Sequence, residues 1–344
     1  KVGPRSAGAD PGPVAYQRGG EQPTITDANI VLGRLDQKAL LDGRLPIDAA
    51  AAREVIERKI AKPLGISVEE AAHGILRIAA ANMNRAIQSV STEKGYDVRE
   101  FALIAFGGAG PLHAGDLARE SGIRTIIAPR EPGTLCARGI LLSDITMDFV
   151  RSELSIASPE AWRIACVTLE DMKKQAVAWL DREGVPQEDR ELRITIDARF
   201  DGQNYEVPVP IERIDAQGLD AFLKTFRARH FQEYGYDIED RDAEIVNCRI
   251  QAVGKIRKRA EAYAPDLSKD PLKGERRVYF GKDLGWIDTN VYARGRLALG
   301  AELGGPAIIE EMSSTTIVHP GQKVRLDTEG NLIITLTDKA GAKQ

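Results

Sequence analysis

The chain has 344 residues, 43% of them hydrophobic and 28% charged, the composition of an ordinary globular protein long enough for roughly two domains. Forty-seven basic residues stand against 51 acidic ones, a formal net charge of −4 with no basic block to neutralise a run of phosphates, so nucleic acid is excluded as an expected partner. No apolar run reaches the length of a bilayer span, and Cys136, Cys166 and Cys248 lie too far apart for a zinc or disulfide framework. A cytoplasmic protein with no membrane segment and no metal site is expected.

The opening Lys1-Val2-Gly3-Pro4 has neither an initiator Met nor a signal-peptide core, which suggests a chain that begins inside a domain. Residues 1–26 are punctuated by Gly8, Pro11, Gly12, Pro13, Gly19, Gly20 and Pro23 and read as loop. Thr26 or Asp27 caps a short helix through Leu35, and Asp48 caps another ending near Pro63. Ser67 and Glu70 form a capping box for the longest helix, whose apolar stripe runs from Val68 through Ile75 and Ala79 to Ile87 and Val90.

Next comes Leu103 to Phe106, read as a fully buried strand of a largely parallel sheet, which meets Gly107, Gly108, Ala109 and Gly110. Glycines there let the backbone turn sharply and approach a ligand, and the amides of Leu112 and His113 open a helix whose N-terminus favours phosphate or ribose oxygens. The same pattern also serves as a plain tight turn. A strand at Ile123–Ala128, a helix near Thr134–Leu142 and a strand around Thr146–Val150 complete an alternating α/β half-domain. The texture changes at 151–158, where the domain boundary is placed, giving domains of 1–155 and 156–344. The second reads as α+β and mostly antiparallel: helices over Trp162–Leu180 and Leu219–His230, with short strands from Leu192 to Leu336.

Four segments, Gly3-Pro4-Arg5-Ser6-Ala7-Gly8-Ala9-Asp10-Pro11-Gly12-Pro13, Thr24-Ile25-Thr26-Asp27-Ala28-Asn29, the Gly107–Ala114 turn and Gly305-Pro306-Ala307-Ile308-Ile309-Glu310, together resemble the hydantoinase/oxoprolinase family, A-type subunit. The resemblance extends over nearly the whole chain through Arg199-Phe200-Asp201-Gly202-Gln203 and Tyr234-Gly235-Tyr236. It implies an α/β, actin-like ATPase (ribonuclease H-like) half-domain followed by an α+β C-terminal domain, with a B-type subunit as partner; docking of that partner is expected to fall to the second domain. It also implies ATP and Mg2+ as cofactors and ATP-dependent hydrolysis of a cyclic amide or imide. ATP-dependent carboxylation of a ketone is the alternative, and a non-catalytic nucleotide-binding or assembly module is another for the isolated chain. The family's phosphate-binding glycine motifs are not among these residues, so the chain is expected to be incomplete for catalysis.

On that resemblance Gly107, Gly108, Ala109 and Gly110 are the adenosine-side contact, and Asp10, Asp27, Asn29 and His113 are the catalytic candidates. Each has a plainer reading: Asp10 as a turn former, Asp27 as a helix cap, His113 as a satisfied polar residue of a first turn. Arg5, Tyr16 and Arg18 either meet an anion or are solvated. Asn82, Asn84 or Arg85 could reach adenine from the long helix. Phe231, Tyr234 and Tyr236 either anchor the partner subunit or close their own core. Glu310 and Glu311, with no histidine or cysteine close by in sequence, give little reason to expect chemistry there.

Overall fold

The computed structural model describes residues 2–236, 238, 240–257 and 262–336; the polar tail from Asp338 onward lies outside them. In chain order, a turn at Val14–Tyr16 leads to α1 (Ile25–Val31), the hairpin β1 (Ala39–Leu40) and β2 (Leu45–Pro46), then α2 (Ala49–Ile56), α3 (Lys62–Leu64) and α4 (Val68–Val90). There follow β3 (Ala102–Ile104), α5 (Gly110–Ser121), β4 (Thr125–Ala128), α6 (Leu135–Leu141), β5 (Ile145–Ile156), α7 (Pro159–Arg182), β6 (Arg190–Phe200), β7 (Val207–Pro210), α8 (Gly218–Tyr234) and β8 (Ala243–Gly254). Seven strands with one short 3-10 turn (Arg294–Arg296) among them complete the described residues: β9 (Leu272–Tyr279), β10 (Trp286–Ala293), β11 (Glu302–Gly304), β12 (Ala307–Glu311), β13 (Ser314–Val318), β14 (Gln322–Leu326) and β15 (Leu332–Leu336).

Two compact units result, and they do not follow the expected division at 155/156. One is drawn from Lys1–Gly139 and Glu261–Gln344, the other from Ile140–Ala260. The cause is visible at β4, whose buried Ile126 and Ala128 need backbone partners on both sides. β3 supplies one edge in parallel, and β15 supplies the other in antiparallel register, with Ile334 opposite Ile126 and Leu332 opposite Ala128. The sheet order is β11-β14-β15-β4-β3, and a second sheet runs β13-β12-β10-β9. Ala114 and Ala118 of α5 share one core with Ile126, Ile309, Val318 and Ile334 from the two sheets.

The expectation of a fully buried strand in a largely parallel sheet fails for β3. It stands at the sheet edge, Ile104 is 57% and Phe106 50% exposed, and β3–β4 is the one parallel pair of its sheet among the described residues. Side chains of a strand meet water where no layer covers their face of the sheet, and periodicity cannot report which faces are covered. In α4 the capping box forms as read, Ser67 Oγ accepting the Glu70 amide at 3.1 Å. The buried stripe gives out beyond Asn84, leaving Val90 65% exposed.

The second unit is antiparallel throughout, order β5-β8-β6-β7, with α7 and α8 packed on it. Its core joins Trp162, Leu169 and Leu180 of α7 to Phe222 and Phe226 of α8 and to Ile196, Phe200 and Ile250 of the sheet. His230 is fully buried, its ring beside Phe200 and its Nε2 3.2 Å from the Gln203 amide. Tyr234 packs against this core, whereas Phe231 and Tyr236 stay 57% and 42% exposed.

Helix α1 is capped by Thr24, not by Thr26 or Asp27 as expected. Asp27 is its third residue and completes a capping box. The fully buried Asp27 carboxylate accepts four hydrogen bonds: from the amides of Val14 (3.2 Å), Ala15 (2.9 Å) and Thr24 (2.9 Å), and from Thr24 Oγ1 (2.8 Å). It therefore clamps the end of the glycine-rich opening loop onto the helix N-terminus. Asp27→Ala leaves three amides without their acceptor and is expected to cost about 3 kcal/mol or more. A urea midpoint lowered at unchanged m-value is the outcome that bears this out, and an unmoved midpoint refutes the clamp.

Candidate functional site

The glycine turn sits where β3 hands over to α5. Ala105 extends the sheet by donating its amide to Ile127 O at 2.8 Å, and the next residues swing away. Gly107 takes φ +81°, the left-handed region closed to most side chains, while its amide reaches Pro132 O at 2.7 Å. Helix α5 then starts at Gly110 with Ala109 before it, so no side chain caps its first amides. The turn is held by the β12–β13 hairpin, from which Ser314 Oγ donates to Gly108 O at 3.2 Å.

Gly108, Ala109, Leu112 and His113 form one wall of a cavity of about 660 Å³. Ile25, Thr26 and Asn29 of α1, the segment Leu35–Gly43, Lys273 of β9 and the tip Glu310–Thr315 of the β12–β13 hairpin close the rest. That is room for a nucleoside-sized ligand. Four carboxylates, Asp36, Asp42, Glu310 and Glu311, face two lysines, Lys38 and Lys273, around it. Three of the four are paired: Arg276 bridges Asp36 (2.9 Å) and Glu310 (2.8 Å), Lys273 also meets Glu310, and Arg294 holds Glu311 at 2.7 Å. Burial raises the Glu311 carboxyl despite that guanidinium. Among the described residues no group of three or more His, Cys, Asp or Glu is arranged to hold a metal ion.

Behind the cavity lies a buried polar cluster. Arg34, 1% exposed, pairs with Asp116 of α5 at 2.6 Å, and His319 Nε2 stands 3.6 Å from the other Asp116 oxygen. His319 is pinned by Gln322, whose Oε1 accepts its backbone amide at 2.8 Å. Burial opposes ionisation of Asp116, but His319 when protonated and Arg34 outweigh it and hold the carboxyl well below the usual carboxylate range. Burial pushes the His319 and His113 imidazoles down to about 4, the Arg34 charge assisting, so both are neutral near pH 7. α5 passes this close with glycine at 115, where a Cβ would run into the His319 ring. Asp116 also lines a second, larger cavity of about 1050 Å³ with His73, Arg77 and Arg119.

Of the residues singled out in the sequence, Tyr16, Asn29, Gly108, Ala109 and His113 come together around the first cavity. Gly107 and Gly110 shape the turn without lining it. Asp27 is used up by its four donors, and Asp10 lies on the exposed loop. Arg5 and Arg18 are exposed as well. Asn84 bonds Glu120 and Ser121 of α5, and Asn82 bonds Val2 O, so neither serves the cavity. Glu310 and Glu311, where the sequence offers little reason to expect chemistry, line the same cavity as Gly108. Neither Arg34 nor Asp116 is singled out in the sequence, and His319-Pro320-Gly321 reads there only as a turn between strands. The one available signal was a charged residue inside an apolar face, Asp116 between His113 and Leu117.

Residues 1–149 match the family described as Hydantoinase/oxoprolinase, and residues 159–336 match the family described as Hydantoinase/oxoprolinase C-terminal domain. The chain is similar to the caprolactamase subunit alpha of Pseudomonas jessenii, 36% identical with 97% of this chain and 49% of the relative covered. It is similar also to the acetophenone carboxylase gamma subunit of Aromatoleum aromaticum, 31% identical over 99% of this chain and 48% of the relative. Its fold resembles that of nucleotide-free acetone carboxylase, with a TM-score of 0.86 at 24% identity over 98% of this chain and 50% of that one. The chain thus spans about half the length of these relatives.

The two neutral histidines give a pH dependence with a definite sign. Their folded values, about 4, lie below the unfolded value of 6.5, so the unfolded chain binds more protons between these limits. Stability is fully present above about pH 6.5 and falls as the pH drops toward 4, by about 3 kcal/mol per histidine at most. Denaturation midpoints at pH 7, 6 and 5 are expected to decline, and less steeply in His319→Gln. A flat wild-type profile over that range contradicts the buried, neutral assignment.

Proposed function

The chain belongs to the hydantoinase/oxoprolinase family, and on that premise we propose that it supplies the nucleoside-binding part of an enzyme that uses ATP to activate a small carbonyl compound. Taken by itself it binds nucleotide without turning it over. The observation that carries this reading is the junction of the Gly107–Gly110 turn with an uncapped helix N-terminus at the wall of a nucleoside-sized cavity. Backbone amides, a neutral imidazole and the apolar side chains of Ile25, Leu35 and Leu112 suit a base and ribose. The acidic excess does not suit a polyphosphate, and with Asp36, Glu310 and Glu311 paired to cations the cavity offers Mg2+ no free carboxylate set. In the complete subunit, an actin-like ATPase with a ribonuclease H-like half-domain, the phosphate and Mg2+ contacts belong to other residues.

The relatives named above include a carboxylase subunit and a lactamase subunit, and one first step serves both chemistries. In a lactam, transfer of the γ-phosphoryl group to the carbonyl oxygen removes amide resonance and opens the ring carbon to water. In a ketone, the enolate oxygen takes the phosphoryl group, and bicarbonate takes another to become carboxyphosphate. The carboxylase reading stands beside cyclic-amide hydrolysis on equal terms, since the nucleoside end of the site is common to both. A B-type subunit is the proposed partner, and the exposed Phe231 and Tyr236 of the second unit are its proposed anchors.

Calorimetric titration of the purified chain with ADP and a non-hydrolysable ATP analogue is expected to show binding, and a phosphate-release assay to show none. Gly108→Ala sets a methyl group 3.1 Å from Ser313 O at the cavity wall and is expected to weaken binding about tenfold. No nucleotide binding by the chain overturns the reading, and phosphate release by the chain alone overturns its second half. With the complete subunit and its partner, ATP turnover stimulated by a lactam or by a ketone plus bicarbonate separates the two chemistries.

A further inference from the structure

The loop that joins β1 to β2 carries a cost that its surroundings do not offset. Leu41, Asp42 and Gly43 take φ of +54°, +52° and +88° in succession. Glycine adopts that left-handed region freely and aspartate tolerates it, whereas a leucine there is strained, its Cβ crowding the following carbonyl. Packing does not compensate Leu41. Its neighbours Leu40 and Leu45 lie against the core built by α1, α2 and α4, but Leu41 is no part of that core and stays 47% exposed. Hydrogen bonding does not compensate it either: beyond the strand pairing, residues 41–44 make one bond among the described residues, the Arg44 amide donating to Leu41 O at 3.2 Å. The base of the hairpin, in contrast, is fixed, the Ile47 amide donating to Lys38 O at 2.9 Å and Asp36 pairing with Arg276. An apolar tip is thus held out on a rigid base, and Leu41 lines the first cavity together with Ile25, Leu35 and Leu112.

We propose that Leu41 is a ligand-contacting residue of this cavity, its side chain closing over the face of the nucleotide base, so that the strained turn and the exposed leucine are compensated only in the bound state. The inference rests on the nucleoside-binding reading above and adds to it the element that covers the ligand. A base is a planar, largely apolar ring, and burying it takes side chains on both faces. Ile25, Leu35 and Leu112 are packed against buried cores of their own and can supply a wall. The β12–β13 tip is tied to the glycine turn through Ser314. The β1–β2 tip has no such tie, and a backbone held in a sparsely populated conformation costs little to rearrange. Glycine or asparagine at position 41 would hold the same turn with less strain but would bring no apolar surface to the cavity. A residue serving only the turn is therefore replaceable by either, and a residue serving the ligand is not.

Leu41→Gly separates the two accounts, because relief of strain and loss of ligand contact act with opposite signs. The variant is expected to hold or raise the urea midpoint while weakening calorimetric binding of ADP about tenfold. Leu41→Met, which keeps an apolar side chain, is expected to bind within about threefold of the native chain. A lowered midpoint in Leu41→Gly means that the leucine serves the fold and overturns the inference, as does ADP binding at native strength in that variant. In the native chain, tryptic cleavage after Arg44 is expected to slow about fivefold or more in saturating ADP. Cleavage at an unchanged rate overturns the inference without any substitution. No binding of ADP by the native chain overturns the nucleoside-binding reading, and this inference with it, whereas binding that is indifferent to residue 41 overturns the inference and leaves that reading standing.

Discussion

The buried ion pair between Arg34 and Asp116 is the contact on which the site depends. Removing one member of such a pair strands a charge in the interior and costs about 3–5 kcal/mol, so the side of α5 that bears Asp116 has to face inward. On a helix, the residues three and four positions earlier share that side, and these are His113 and Leu112, the two that reach the cavity. The pair therefore sets the rotation of α5 about its axis and, through it, the presentation of the glycine turn. Gly115 belongs to the same constraint, because His319 lies across the helix where any side chain would stand.

A second constraint comes from the topology. The strand after α5 is completed only when the last described strand pairs with it, Ile334 against Ile126, and β3 has no strand on its outer edge among the described residues. Residues 140–260 fold as an insertion between the two halves of the first unit. The family domains nonetheless break between 149 and 159, close to the change in sequence texture. Sequence texture and compactness thus mark different boundaries: one follows a shift in composition and periodicity, the other follows which backbones are hydrogen-bonded to which.

The electrostatics of the cavity favour a neutral guest. Three of the four acids around the cavity are matched by cations, most fully in the Asp36–Arg276–Glu310–Lys273 chain, and the nearest imidazole is uncharged at neutral pH. Such pairing also ties the segment before β1, through Asp36, to β9 and β12. A site built this way contributes shape and hydrogen-bond pattern in preference to charge, which agrees with the proposed nucleoside reading.

Local features were legible in the sequence because they involve residues a few positions apart. The Ser67–Glu70 capping box, the α4 stripe as far as Ala79, the helix over Trp162–Leu180 and the glycine turn itself are all readable from spacing alone, since a cap or a helical face is decided within one or two turns. Asp27 was readable only to the point of two roles, cap or ligand, because the amides that claim it belong to Val14 and Ala15 in another segment. The edge position of β3, the joining of Asn29 and Glu310 in one cavity and the buried cluster of Arg34, Asp116 and His319 were decided by tertiary structure only. Their partners are separated by up to some hundreds of residues, and nothing in a residue's neighbours along the chain states which distant backbone will pair beside it or which charge will be buried against it.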